Sequence, residues 1–164
     1  MTAERKVATF NSPLEAGLRA LSVLVPAYPE TMDLQRLVAF DYLVVHTADA
    51  GGPESLHAPL PLRPAELLVR RQLVERGLLL MISRGLIERV PEVSGIGYRA
   101  GEMAETFLAS LSAHYLAELC ARGEWVVETF GPLAPDELRK KMDDIFGRWI
   151  DEFQAVQRSL AAEA

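Results

Sequence analysis

The stretch Arg84-Gly85-Leu86-Ile87 restricts the fold of this chain more than any other. A helical pattern opens at Pro64-Ala65-Glu66 and carries Leu67, Leu68, Leu73, Val74, Leu78, Met81 and Ile82 on one stripe as far as Arg84. Gly85 then stands where a helix end favours a left-handed residue. Two β-like segments follow, Leu86 to Val90 and Gly97 to Ala100, with Pro91 to Ile96 as the turn between them, and a further helix opens at Glu102-Met103-Ala104. Preceded by two other helices, this order predicts a mainly α protein built on a winged helix-turn-helix core. In such a core the third helix is the recognition element and the hairpin is the wing. Gly77, inside that third helix, is expected to weaken or bend it.

The punctuation on either side is equally legible. Ser12-Pro13-Leu14-Glu15 supplies an N-cap serine, a proline at the first helical position and a glutamate at the capping-box position. The helix that starts there carries Leu14, Leu18, Leu21, Leu24 and Val25 and is expected to end at Pro26 and Pro29. Asp33 can cap a second helix running to about Thr47. Its residues Leu34, Leu37, Val38, Phe40, Leu43, Val44 and Val45 make it apolar on most sides and therefore central. Ala48 to Leu62, with Gly51, Gly52, Pro53, Pro59 and Pro61, reads as a long ordered loop. After the hairpin, Met103 to Phe130 continues in helical register with a break near Ser112, until Gly131-Pro132 stops it. The final helix opens at Pro135-Asp136-Glu137 with the stripe Leu138, Met142, Ile145, Trp149, Phe153, Val156 and Leu160. Residues 1–10 are thus an N-terminal segment, 11–131 a winged-helix-like domain with its following helices, and 132–164 a C-terminal amphipathic helix.

Composition narrows the function. At 164 residues, 49% hydrophobic and 24% charged, the chain suits one globular domain with a core of its own. Its single cysteine, Cys120, excludes an internal disulfide and a cysteine-based zinc cluster, and a cytoplasmic setting is expected. The opening Met1 to Asn11 is neither a signal-peptide core nor a membrane span, so no membrane contact is expected. A net charge of -6 argues against coating nucleic acid by bulk electrostatics. The charge is uneven, however. Seven arginines against four glutamates leave residues 63–99 at +3, and hence the remainder at -9.

Those arginines, Arg63, Arg70, Arg71, Arg84 and Arg99 foremost, lie on the expected recognition helix and wing, where guanidinium groups suit an acidic protein surface or DNA phosphates. The plainer alternative is a solvated face with i,i+4 pairs such as Arg71 with Glu75. DNA contact is the secondary reading, because few Lys, Asn or Gln residues accompany the arginines. On the last helix, Trp149 and Phe153 either pack on the domain's own core or anchor a partner. His46 and His57 flank the long loop with Asp49 and Glu54, in a spacing that matches no metal-ligand pattern. A histidine at a helix end bonded to backbone is the simpler account of them. There is no P-loop, dinucleotide turn, nucleophile elbow or metalloprotease helix, so no catalytic residue, metal or cofactor is expected.

Several words of the sequence, taken in order, resemble a known family. They are Phe10-Asn11-Ser12-Pro13-Leu14-Glu15 with Gly17-Leu18-Arg19-Ala20, Asp33-Leu34-Gln35-Arg36-Leu37, Phe40-Asp41-Tyr42-Leu43-Val44-Val45-His46 and Ser55-Leu56-His57. Glu66-Leu67-Leu68-Val69-Arg70-Arg71, Gly77-Leu78, Arg84-Gly85-Leu86-Ile87 and Gly97-Tyr98-Arg99-Ala100 continue the row. Over about Phe10 to Phe130 the chain resembles the middle component of bacterial ABC-three-component systems, a group that includes the small subunit of Lamassu-type anti-phage defence. The resemblance implies a non-catalytic adaptor partnered by an SMC- or Rad50-like ABC ATPase and by an effector, often a nuclease. In such assemblies the ATPase engages DNA, and the small component sits near its heads and helps to hold the effector inactive. Two other readings stay open beside it. One is a winged-helix transcription regulator that dimerises and reads DNA; the other is an enzyme built around His46 and His57.

Overall fold

In a computed structural model, which describes residues 12–58 and 64–162, the chain is mainly helical. Among these residues the elements run α1 (Pro13–Ala27), α2 (Leu34–Val45), a 3-10 turn (Thr47–Ala50), α3 (Pro64–Ser83), β1 (Ile87–Glu92), β2 (Gly95–Ala100), α4 (Ala104–Ser110), α5 (His114–Phe130) and α6 (Pro135–Ala162). The caps form as the sequence requires: Ser12 Oγ accepts the Glu15 amide at 3.2 Å, and Asp33 Oδ1 accepts that of Arg36 at 2.7 Å. α1 ends at Ala27, between Pro26, which sits in its last turn, and Pro29.

α1 is the hub. It packs most extensively on α3 and next on α5, and its residues 16, 17 and 19–24 are all buried. α2 shares that central role through Leu37 and residues 40–45. Two glycines explain how closely these helices approach. A Cβ on Gly77 of α3 would lie 2.6 Å from the backbone nitrogen of Gly17, and one on Gly123 of α5 would lie 2.0 Å from the carbonyl oxygen of Ser22. Gly77 is thus a contact point between helices, which offsets the propensity it costs α3.

Gly85 adopts the left-handed conformation, φ 71°, and turns the chain into the hairpin. The strands pair from Ile87 with Ala100 to Glu92 with Gly95, so only Val93 and Ser94 remain in the turn. Pro91 and Ile96, which read as turn residues in the sequence, belong to the strands. Met32, between α1 and α2, adds an isolated antiparallel bridge to Tyr98 of β2. The break near Ser112 is real and separates α4 from α5. α6 joins the same core through buried Leu138, Met142 and Ile145. No described helix is long and apolar enough to cross a membrane.

Candidate functional site

Asp41 is the centre of the most unusual group in the molecule. It sits in the middle of the α2 run that is buried from Phe40 to Val45, and at 4% exposure its carboxylate requires partners. Arg19 of α1 donates its Nε to Oδ1 at 2.7 Å, and Arg70 of α3 donates an Nη to Oδ2 at 2.6 Å. One carboxylate therefore joins three helices. The Arg70 guanidinium also lies 5.4 Å from the Tyr42 ring centre, and the Tyr42 hydroxyl donates to Asp49 of the 3-10 turn at 2.6 Å. His46, at the C-terminal end of α2, has its ring 4.6 Å from that of Tyr42 and 6.2 Å, edge-on, from that of His57. His57 in turn shares a hydrogen bond of 2.8 Å with the Tyr115 hydroxyl of α5.

The electrostatics keep both imidazoles neutral. Burial first and the Arg70 charge second push His46 down to about 4, and burial followed by the Arg19 and Arg70 charges does the same to His57. His46 Nε2 has no hydrogen-bond partner among the described residues, so a proton there would have no acceptor to share it. Burial likewise raises Tyr115 above its ordinary range. Among the described residues no three His, Cys, Asp or Glu side chains gather as a metal site. What this arrangement does chemically is clasp: the Asp41 carboxylate ties α1, α2 and α3 together, and the Tyr42–Asp49 and His57–Tyr115 hydrogen bonds tie the loop 46–58 to α2 and α5.

The arginines singled out from the sequence do not share a face. Arg70 turns inward to Asp41, so it is not available to a partner surface. Arg71 is exposed and makes the loose i,i+4 pair with Glu75 at 3.6 Å. Arg84 is exposed just beyond α3, and Arg99 on β2 pairs with Glu88 of β1 at 2.8 Å. Arg63 lies outside the described residues, as do the side chains of Trp149 and Phe153, although the α6 backbone runs through both positions. Sequence reasoning missed Arg19, Asp41, Tyr42 and Tyr115 as members of a site. The usable signal was a charged residue, Asp41, inside a helix apolar on most sides, which implies a buried partner. His46 and His57 were seen as loop-flanking residues, but not as neighbours of that ion pair.

A groove of about 360 Å³ runs along the outside of α2, between α2, α6 and Arg71 of α3. Val38 and Ala39 contribute from α2, and Leu138, Met142 and Phe146 from α6. Arg36 lines it too, but its guanidinium donates to the carbonyls of Phe130, Gly131 and Leu133, capping the α5 end. A second groove, of about 480 Å³, opens where Tyr28 and the end of β2 face α4 and α5, and it carries Glu102, Glu105 and Glu124.

The words that carry the resemblance converge on the clasp: Arg19, the pair Asp41 and His46, His57 and Arg70 come from four different stretches of sequence and meet in one interior cluster. No curated protein and no solved structure matches the chain. A family model does match residues 9–152, described as the ABC-three component (ABC-3C) system middle component 2. Since that match runs through the clasp, the hairpin and most of α6, the chain belongs to the middle component 2 family of ABC-three component systems.

Proposed function

We propose that this protein is a non-catalytic adaptor of a Lamassu-like defence assembly, which holds an SMC- or Rad50-like ABC ATPase to a nuclease-type effector. The observation that carries this reading is family membership, because a middle component of a multi-component system has other subunits to join. The character of the surface supports protein over DNA as the direct partner. Of the candidate arginines, Arg70 is consumed inside, Arg99 is paired with Glu88, and Arg71, held only loosely by Glu75, and Arg84 stay open on the surface. The outward stripe of α3 carries Val69 at 64% and Leu79 at 56% exposure around Arg76, and the hairpin tip exposes Val93 and Ile96. Exposed apolar residues set among charges of both signs suit protein contact better than phosphate contact.

The winged-helix reading belongs here as well. The order of α1, α2, α3 and hairpin supports it, and so does the Met32–Tyr98 bridge, which stands where the short first strand of such a fold pairs with the strand after the wing. That topology also favours the second reading, a homodimeric regulator that reads DNA with α3 and the hairpin. The two separate by experiment. In the adaptor reading the tagged chain co-purifies with the co-expressed ABC ATPase and effector, and Trp149→Ala with Phe153→Ala removes the complex while the isolated chain stays folded. A chain that stays apart from both subunits and shifts duplex DNA with a steep salt dependence supports the regulator instead.

A further inference from the structure

We infer that the groove between α2 and α6 receives an amphipathic helix of a partner subunit, one with an apolar stripe flanked by carboxylates. This inference rests on the adaptor reading and specifies where and by what chemistry a partner docks. The apolar part of the trough has short side chains, Val38 and Ala39, from α2 and a wall of Leu138, Met142 and Phe146 from α6. A volume of about 360 Å³ accommodates a few large side chains, the scale on which helix-in-groove recognition works through anchors at i, i+3, i+4 and i+7.

The charge around the groove selects the occupant. Asp33 lines it, but its carboxylate is committed to capping α2, and Arg36 is committed to the carbonyls at the end of α5. That leaves Arg71 on the α3 side, Arg139 and Asp143 on the α6 side. Arg71 and Arg139 are 53% and 57% exposed, and each holds its nearest carboxylate, Glu75 or Asp136, only at 3.6 Å. Exposed pairs of that length contribute little, so both guanidinium groups are available to a new carboxylate. The ionised lining, Arg36, Arg71 and Arg139 against Asp33 and Asp143, is net positive by one charge in a chain whose net charge is -6, and the two loosely held arginines stand on different walls. The groove with Glu102, Glu105 and Glu124 has the opposite character.

The test uses the full chain co-expressed with the neighbouring ABC ATPase and effector. A photo-crosslinking amino acid at Ala39 reports what enters the groove, and Arg71→Glu with Arg139→Glu reports the charge requirement. The expected result is a crosslink to an acidic helical segment of one of those subunits, and binding weakened about tenfold by the double charge reversal, since rim charges chiefly tune encounter and register. An unchanged melting temperature of the isolated double variant separates lost docking from lost folding. A complex that forms normally, tolerates both reversals and yields no crosslink from Ala39 overturns the groove assignment and leaves the adaptor reading intact. A crosslink to a second copy of this chain, or to DNA, overturns it equally. A wild-type chain that recruits neither subunit overturns both.

Discussion

Arg70 and Arg71 are neighbours in the sequence and belong to two different regions of the molecule. One step along α3 turns the side chain by about a third of the helix circumference, so Arg70 enters the interior and meets Asp41 while Arg71 stays on the rim of the outer groove. Inside, the guanidinium is one of two that neutralise a buried carboxylate, and its function is to keep α1, α2 and α3 in a fixed relation. Outside, the same chemical group is loosely held and open to a new partner. The difference teaches that arginine content alone says little about an interface. What decides is which carboxylate reaches each guanidinium first, and how much water remains around the pair.

Four experiments can break or sharpen that contrast. Asp41→Ala should have the largest effect, because it leaves Arg19 buried without its counter-charge; a loss of about 3–5 kcal/mol in denaturant unfolding is expected. A change below about 1 kcal/mol would mean that the clasp does not hold the three helices together. Gly123→Ala tests the helix approach that holds the clasp together. Its Cβ would meet the Ser22 carbonyl oxygen at 2.0 Å, and overpacking of this kind costs about 1–3 kcal/mol.

Acid tests the clasp next. His46 and His57 are held near 4 in the folded state against an ordinary value of 6.5, so between those values the unfolded chain binds more protons than the folded one. Stability is therefore fully present above about 6.5 and falls as the pH drops towards 4. The urea midpoint at about pH 5 should be lower than at about pH 7.5, with a smaller difference in His57→Gln. Equal midpoints would contradict burial of neutral imidazoles. The smallest effect belongs to the outside: Arg71→Ala should change stability by less than about 0.5 kcal/mol, since only an exposed pair is lost.

The contrast also explains what could be read from the sequence. Local signals worked wherever one residue satisfies one backbone requirement: Ser12 and Asp33 cap their helices, Gly85 is left-handed, and the register break near Ser112 separates two helices. They overreached at Pro91, because a proline is tolerated in a two-stranded ribbon with no further neighbour on its strand. Gly77 read as a weakness, since nothing local reveals that α1 crosses there. The site was the least legible part. Arg19, Asp41, His57, Arg70 and Tyr115 come from five separated stretches, and only Asp41, a charge inside an apolar helix, points to a buried partner on its own. Only the tertiary arrangement makes Asp41 the common acceptor. The groove was invisible for the same reason: it needs α6 to lie along α2, and the apolar stripe of α6 did not say what it covers.

The measurement that tests the central claim most directly is the native mass of the particle recovered through a tag on this chain, co-expressed with the proposed ABC ATPase and effector. The account predicts one assembly whose mass requires this chain and the ATPase together, surviving at salt that strips non-specific DNA. A free homodimer of the tagged chain, with the ATPase eluting elsewhere and duplex DNA bound in its place, would contradict it.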